Sequence, residues 1–250
     1  LRNFFQFAGF QTCDYILHGF TLHAFTVFFT LDGFTLNCIY CQNWHWKILS
    51  LKDEGYKIDD VLKTLKEDTK CICFFGGDPG THADFAIKLS EEGLKVNKNL
   101  RICWETNGFL SKKTREKFFE LTLKTGGILK IDLKAFDEKL NIALTGFSNK
   151  VVLENIKFFA ENSKNVKNYK PFVVSTLLVS GYVEEGEVSK IAQFLAALDP
   201  NLPYSILCFH PNHLMKDMSL LKGEIVQRCI EEIERAGLKN YNIGNKHLIL

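Results

Sequence analysis

Cys38 and Cys41 stand in the stretch FTLNCIYCQNWHW, residues 34–46, a loop-like run flanked by aromatics. A Cys-x-x-Cys turn can bring two thiolates onto one metal ion or iron–sulfur cluster. The same spacing also serves a redox dithiol, but that motif normally opens a helix soon after its strand. Asn43, Trp44, His45 and Trp46 make a poor helix start, which favours the cluster over the dithiol. Two unremarkable thiols are the plain alternative. Four residues before Cys38, where another thiol would complete a cluster-binding triplet, stands Phe34. Its ring offers iron no lone pair. Asp32, Asn37 and His45 are weak substitutes nearby, and Cys13 is a more distant one.

Further chemistry-bearing groups follow at intervals. Gly76-Gly77-Asp78-Pro79 comes after an apolar run. Glycines there let a ligand approach the backbone, whose amides and carbonyls can hold an amino or carboxylate group. A plain β-turn explains the same residues. Glu105-Thr106-Asn107-Gly108 offers a carboxylate and an amide suited to ribose hydroxyls, or simply a helix cap and turn. Asp132-Leu133-Lys134 places two opposite charges on one face by strand alternation, as a reactive pair or a structural ion pair. His210, before Pro211, could meet a purine ring edge, although a lone histidine is more often structural.

These groups need elements to position them, and the pattern is regular from residue 26 onward. Short β-branched or aromatic runs lead into polar or glycine-containing loops, then into amphipathic stretches of helical period. Strands are expected at 26–31, 71–75, 101–104, 128–131, 172–179 and 204–209. Helices are expected near 58–67, 83–93, 112–123, 151–160, 184–198 and 224–236. Six βα units predict an α/β fold, a partial TIM-like (βα)6 barrel open on one side. Every group above follows the C-terminal end of a strand, where such barrels carry their active sites. No Pro-, Gly- or Ser-rich linker divides the chain. One barrel domain is therefore expected over 26–250, preceded by a short N-terminal segment, 1–25.

The composition fits a large globular domain: 250 residues, 46% hydrophobic and 24% charged. A net charge of +2 and the lack of a basic run give no reason to expect a nucleic-acid partner. No run reaches the roughly 18 apolar residues of a membrane span, and no signal-peptide pattern is seen. Several of the eight cysteines lie inside apolar runs, which reads as a reducing cytoplasm and not as a disulfide framework.

Taken in order, these elements resemble the radical S-adenosylmethionine superfamily, and within it the glycyl-radical-enzyme activases of pyruvate formate-lyase activating type. CIYCQN is similar to the end of that family's Cys-x-x-x-Cys-x-x-Cys loop, with Tyr40 at its aromatic position. GGDP resembles the Gly-Gly-Glu-Pro motif that contacts the cofactor's amino group. ETNG resembles the segment that approaches the ribose, and FHPN falls where the family has a residue near adenine. DLKAFD with ALTGFSNKVVLENI resembles the activase stretch whose Asp and Lys line the active site.

The resemblance implies an oxidoreductase. It assigns Cys38 and Cys41 to a [4Fe–4S] cluster, Asp132 and Lys134 to catalysis, and Tyr40, Gly76, Gly77, Asp78, Pro79, Glu105, Asn107, Lys134 and His210 to S-adenosylmethionine. An electron from the cluster would cleave the sulfonium, giving a 5′-deoxyadenosyl radical that abstracts hydrogen. The implied partners are a glycyl-radical enzyme, or another protein substrate, and a flavodoxin- or ferredoxin-type electron donor. The departure is Phe34, at the place of the first cluster cysteine; the same fold without catalysis, a protein that binds the cofactor or a partner, is the alternative. Phe4, Phe7, Phe25 and Phe28 share the spacing of metal ligands, as if phenylalanine had replaced cysteine throughout this region; an aromatic strand with its packing partners is the other explanation.

Overall fold

A computed structural model of the chain describes residues 35–44 and 57–250, together with the backbone of 25–30. Residues 1–24, with Cys13, Phe4 and Phe7, lie outside the described residues, as do Asp32, Phe34 and His45.

The apolar runs form strands β1 (Phe25–Thr30), β2 (Thr69–Phe75), β3 (Arg101–Thr106), β4 (Leu129–Asp132), β5 (Phe172–Leu178), β6 (Tyr204–Cys208) and β7 (Tyr241–Gly244). They build one seven-stranded sheet in chain order, and every ladder is parallel. Parallel neighbours need long crossovers. The amphipathic segments supply them: α1 (Ile58–Leu62), α2 (Ala83–Val96), α3 (Lys112–Thr125), α4 (Glu138–Thr145), α5 (Lys150–Ser163), α6 (Glu185–Leu198) and α7 (Gly223–Arg235). Among the described residues no ladder joins β7 to β1, so the sheet stays open. None of their helices is long and apolar enough to cross a membrane.

The expected six units are present, with three differences. β7 is a seventh strand: YNIG is short and carries Asn and Gly, and it becomes a strand by pairing with β6 in the register Tyr204↔Tyr241. α4 is an added helix, capped by the Asp137 carboxylate, which accepts from the Leu140 amide at 2.9 Å, and ended by Gly146 at φ 83°. α1 stops at Leu62 and does not continue to Glu67, because the Lys66 amide donates to the Thr69 hydroxyl at 2.9 Å and the chain turns into β2.

Strand alternation sorts the two faces of the sheet. Ile72, Phe74, Ile102 and Trp104 are fully buried, at 1% exposure or less. Phe74 stacks on Trp104 at 4.7 Å between ring centres, and Trp104 on Phe118 of α3 at 3.9 Å. The other face carries Cys71 and Cys73 of β2, Cys103 and Glu105 of β3, and Lys130 and Asp132 of β4. The apolar face binds the helices, and the polar face points into the half-barrel toward the C-terminal rim.

Candidate active site

The cysteine loop lies across that rim and is fixed at several points. The Asn37 amide donates to the Thr145 carbonyl at 2.9 Å and the Ile39 amide to that of Leu144 at 3.0 Å. These two carbonyls end α4, where a helix leaves acceptors without internal partners. The Cys41 amide donates to the Cys38 carbonyl at 3.1 Å, which closes the turn between the two thiols. Asn43 Nδ2 donates to the Gly76 carbonyl at 2.9 Å, and Asn107 Nδ2 to Thr35 Oγ1 at 2.9 Å. From the loop after β6, the Leu214 amide donates to the Ile39 carbonyl at 2.9 Å, and His213 stacks on Trp44 at 5.3 Å. Leu36 and Tyr40 are buried beneath the loop. One loop is thereby stitched to the ends of β2, β3, β6 and α4.

Asp78 faces inward. Its carboxylate accepts from the Gly80 amide at 2.7 Å, the Asn107 amide at 2.6 Å and the Thr106 hydroxyl at 3.0 Å. Burial pushes this carboxyl up against those hydrogen bonds and against Lys134. The side chain therefore ties the end of β2 to the end of β3. The groups of this turn left to meet a ligand are backbone, near Gly76 (φ 99°) and Gly77, while Pro79 is buried at the start of the following 3-10 turn.

The inner face carries a row of alternating charges. Glu105 Oε2 lies 2.9 Å from Lys130 Nζ, Lys130 Nζ 3.8 Å from Asp132 Oδ1, and Asp132 Oδ2 3.3 Å from Lys134 Nζ. The Ser175 hydroxyl donates to Asp132 Oδ1. Burial alone would lower both lysines. It is outweighed for Lys130 by Glu105 and Asp132, and for Lys134 by Asp132 and the Cys38 thiol, so both ammonium groups are held above their ordinary range.

Lys134 joins this row to the cysteine loop. Burial pushes the Cys38 thiol up; the Lys134 ammonium opposes it, while Cys41 and Asp132 add to it. The Tyr40 hydroxyl is buried beside Cys38, and burial and the Cys38 thiol push it well up. Two thiols next to a buried cation suit an anionic iron–sulfur group. Among the described residues, no three His, Cys, Asp or Glu side chains come together as a metal site. Among the described residues the candidate donors of this loop are the two thiols, and position 34 carries Phe.

Of the residues singled out from sequence, Cys38, Cys41, Asp78 and Asp132 each interact electrostatically with Lys134, and Tyr40 with Cys38, Cys41 and Asp132. Gly76, Asn107 and Glu105 join them through Asn43, Thr35 and Lys130. His210 shares the rim by chain path, two residues beyond β6. Sequence reasoning missed Lys130 and Ser175, although the spacing of two in Lys130, Asp132 and Lys134 puts all three on one face. It also missed the clamps behind the loops. Asn155 Nδ2 donates to the carbonyls of Gly108 and Leu110, each at 2.9 Å. Asn149 Nδ2 donates to those of Ala135 and Phe136 at 2.9 and 2.8 Å. Glu187 accepts from the Phe136 and Asp137 amides at 2.8 and 2.9 Å.

Comparison with known proteins agrees with this geometry. The profile of the radical SAM superfamily matches residues 32–195, and the chain belongs to that superfamily. Membership implies an iron–sulfur cluster and S-adenosylmethionine. A protein of Methanocaldococcus jannaschii named as a glycyl-radical enzyme activating enzyme is 32% identical over 70% of this chain, which spans 63% of that relative's length. The pyruvate formate-lyase-activating enzyme of Staphylococcus aureus is 27% identical over 86% of this chain and 88% of its own. Among solved structures, a domain of pyruvate-formate lyase-activating enzyme from Bacteroides vulgatus aligns at a TM-score of 0.56 and 24% identity, over 69% of this chain and 98% of that one. Streptococcus suis SuiB bound to precursor peptide SuiA aligns at 0.66 and 17%, over 89% of this chain and 49% of that one. The solved structures bear on the fold alone.

Proposed function

We propose that the chain is a radical S-adenosylmethionine oxidoreductase of the glycyl-radical-enzyme activating type. Cys38 and Cys41 would hold a [4Fe–4S] cluster, and the backbone of the Gly76–Pro79 turn would take the amino and carboxylate groups of the cofactor. Glu105 and Asn107 would take the ribose, His210 would sit by the adenine, and Tyr40 would close the space under the thiols. Held there, the cluster would supply the electron for reductive cleavage of the sulfonium, the chemistry that hydrogen abstraction requires. Asp132 and Lys134 would orient the substrate. The observation that carries the reading is the cysteine loop tied to the motif turns, Asn43 to Gly76 and Thr35 to Asn107, with the Lys134 ammonium acting on the Cys38 thiol.

A glycine of a partner polypeptide is the proposed source of the hydrogen. Supporting it are large apolar side chains exposed on the rim loops, Phe147 at 44%, Tyr182 at 46% and Leu214 at 68%. A flavodoxin- or ferredoxin-type protein would supply the electron. Within this reading, 26–250 acts as one barrel domain.

Phe34 favours a second reading, the same fold without catalysis. Two thiolates leave two irons of a cubane without protein ligands. Iron content after anaerobic incubation with iron and sulfide separates the two. Phe34→Cys is expected to carry a full cluster and a brown colour, with the wild type well below it. A colourless Phe34→Cys protein would contradict the cluster reading of the cysteine loop and leave the non-catalytic one standing. Full iron in the wild type would dismiss the non-catalytic one.

A further inference from the structure

Lys130 has no part in the roles assigned above, yet it sits at the centre of the charge row. Its side chain is only 10% exposed, and its ammonium lies 2.9 Å from Glu105 and 3.8 Å from Asp132. Besides these carboxylates it faces the Cys73 thiol. We infer that Lys130 is a positioning residue of this site: its ammonium bridges Glu105 and Asp132 and holds both carboxylates in place at the rim, to receive a nucleoside-bearing ligand of the S-adenosylmethionine class. This rests on the reading of the site given above.

Glu105 and Asp132 project from neighbouring strands onto one ammonium, which fixes the direction of each carboxylate. Without that shared donor neither carboxylate is held where it can meet a ribose hydroxyl. Lys134 cannot serve both carboxylates. It meets Asp132 at Oδ2 and also interacts with the two thiols, whereas Lys130 meets Asp132 at Oδ1 and reaches back to Glu105. Glu105 and Asp132 against Lys130 and Lys134 sum to zero charge. Removing Lys130 leaves one uncompensated anion in a half-buried site, and removing one partner of a buried pair is the expensive way to break it.

The test is calorimetric affinity for S-adenosylhomocysteine and for S-adenosylmethionine, with the full chain after anaerobic treatment with iron and sulfide. Lys130→Met keeps the stem and loses the charge, and is expected to weaken both affinities about tenfold or more. Lys130→Arg keeps the charge and is expected to stay within about threefold. In Lys130→Ala, added ethylammonium is expected to restore much of the lost affinity by filling the space of the missing side chain, with no such effect on Lys130→Met or the wild type. Binding in Lys130→Met equal to the wild type overturns the inference alone. If Lys130→Met does not fold, the arginine variant decides: a loss of tenfold or more in a folded Lys130→Arg overturns it as well. A wild type that binds neither nucleoside overturns this inference together with the reading beneath it.

Discussion

Asp132 meets a cation at each of its oxygens, with Lys130 on Oδ1 and Lys134 on Oδ2. Burial would raise its carboxyl, but the two ammonium groups and the Ser175 hydroxyl outweigh burial and hold it down to about 2. A carboxyl depressed on folding contributes stability that is complete above its unfolded value near 3.8 and is lost as pH falls toward 2. A third of the side chain faces solvent, so the contribution is set at about 1–2 kcal/mol. Urea titrations of the wild type between these limits are expected to lose that amount, and Asp132→Asn is expected to flatten the slope. Equal slopes in the two proteins would show that the charge row does not stabilise the fold. The pairing of Asp132 with Lys134 was readable from their spacing. The partnership of Lys130 with Glu105 was not, since it joins side chains on neighbouring strands and depends on the β3–β4 register Glu105↔Lys130.

At the scale of elements, the turn after β3 shows what the glycines of these loops do. Gly108 has φ 77°, and an added Cβ would lie 2.9 Å from Ile131 and 3.0 Å from Val152. Gly181, after β5, has nearly the same backbone at φ 76° with nothing within 4 Å. Gly108→Ala is expected to cost about 2 kcal/mol or more, combining left-handed strain with overpacking, and Gly181→Ala about 1 kcal/mol from strain alone. Equal losses on chemical denaturation would contradict the packing assigned to the Gly108 turn. The βα alternation was legible because parallel strands buried on both faces read as apolar runs, such as CICFF and FVVSTLL, and the helices as periodic ones. β7 escaped because its four residues carry no such run and take their form from the edge of β6. α4 escaped because its eight residues are defined by the caps at Asp137 and Gly146 more than by periodicity.

For the whole molecule, an open sheet of seven parallel strands turns widely separated segments into neighbours at one rim. The loop at 35–44 reaches the ends of β2, β3 and β6, and Lys134 connects it to the inner charges. That convergence was expected from the position of each motif after a strand. The hydrogen bonds that fasten the loop were not, because Asn43 to Gly76 and Leu214 to Ile39 span long separations that no local pattern encodes. Phe34 lies outside the described residues, and its effect is a matter for chemistry. The central claim is that this rim holds S-adenosylmethionine beside an iron–sulfur cluster. Its most direct measurement is 5′-deoxyadenosine formed from S-adenosylmethionine and a strong reductant by the anaerobically reconstituted Phe34→Cys protein. The account predicts production that is abolished by Cys38→Ser. A Phe34→Cys protein that carries its full iron and yields no 5′-deoxyadenosine would contradict it.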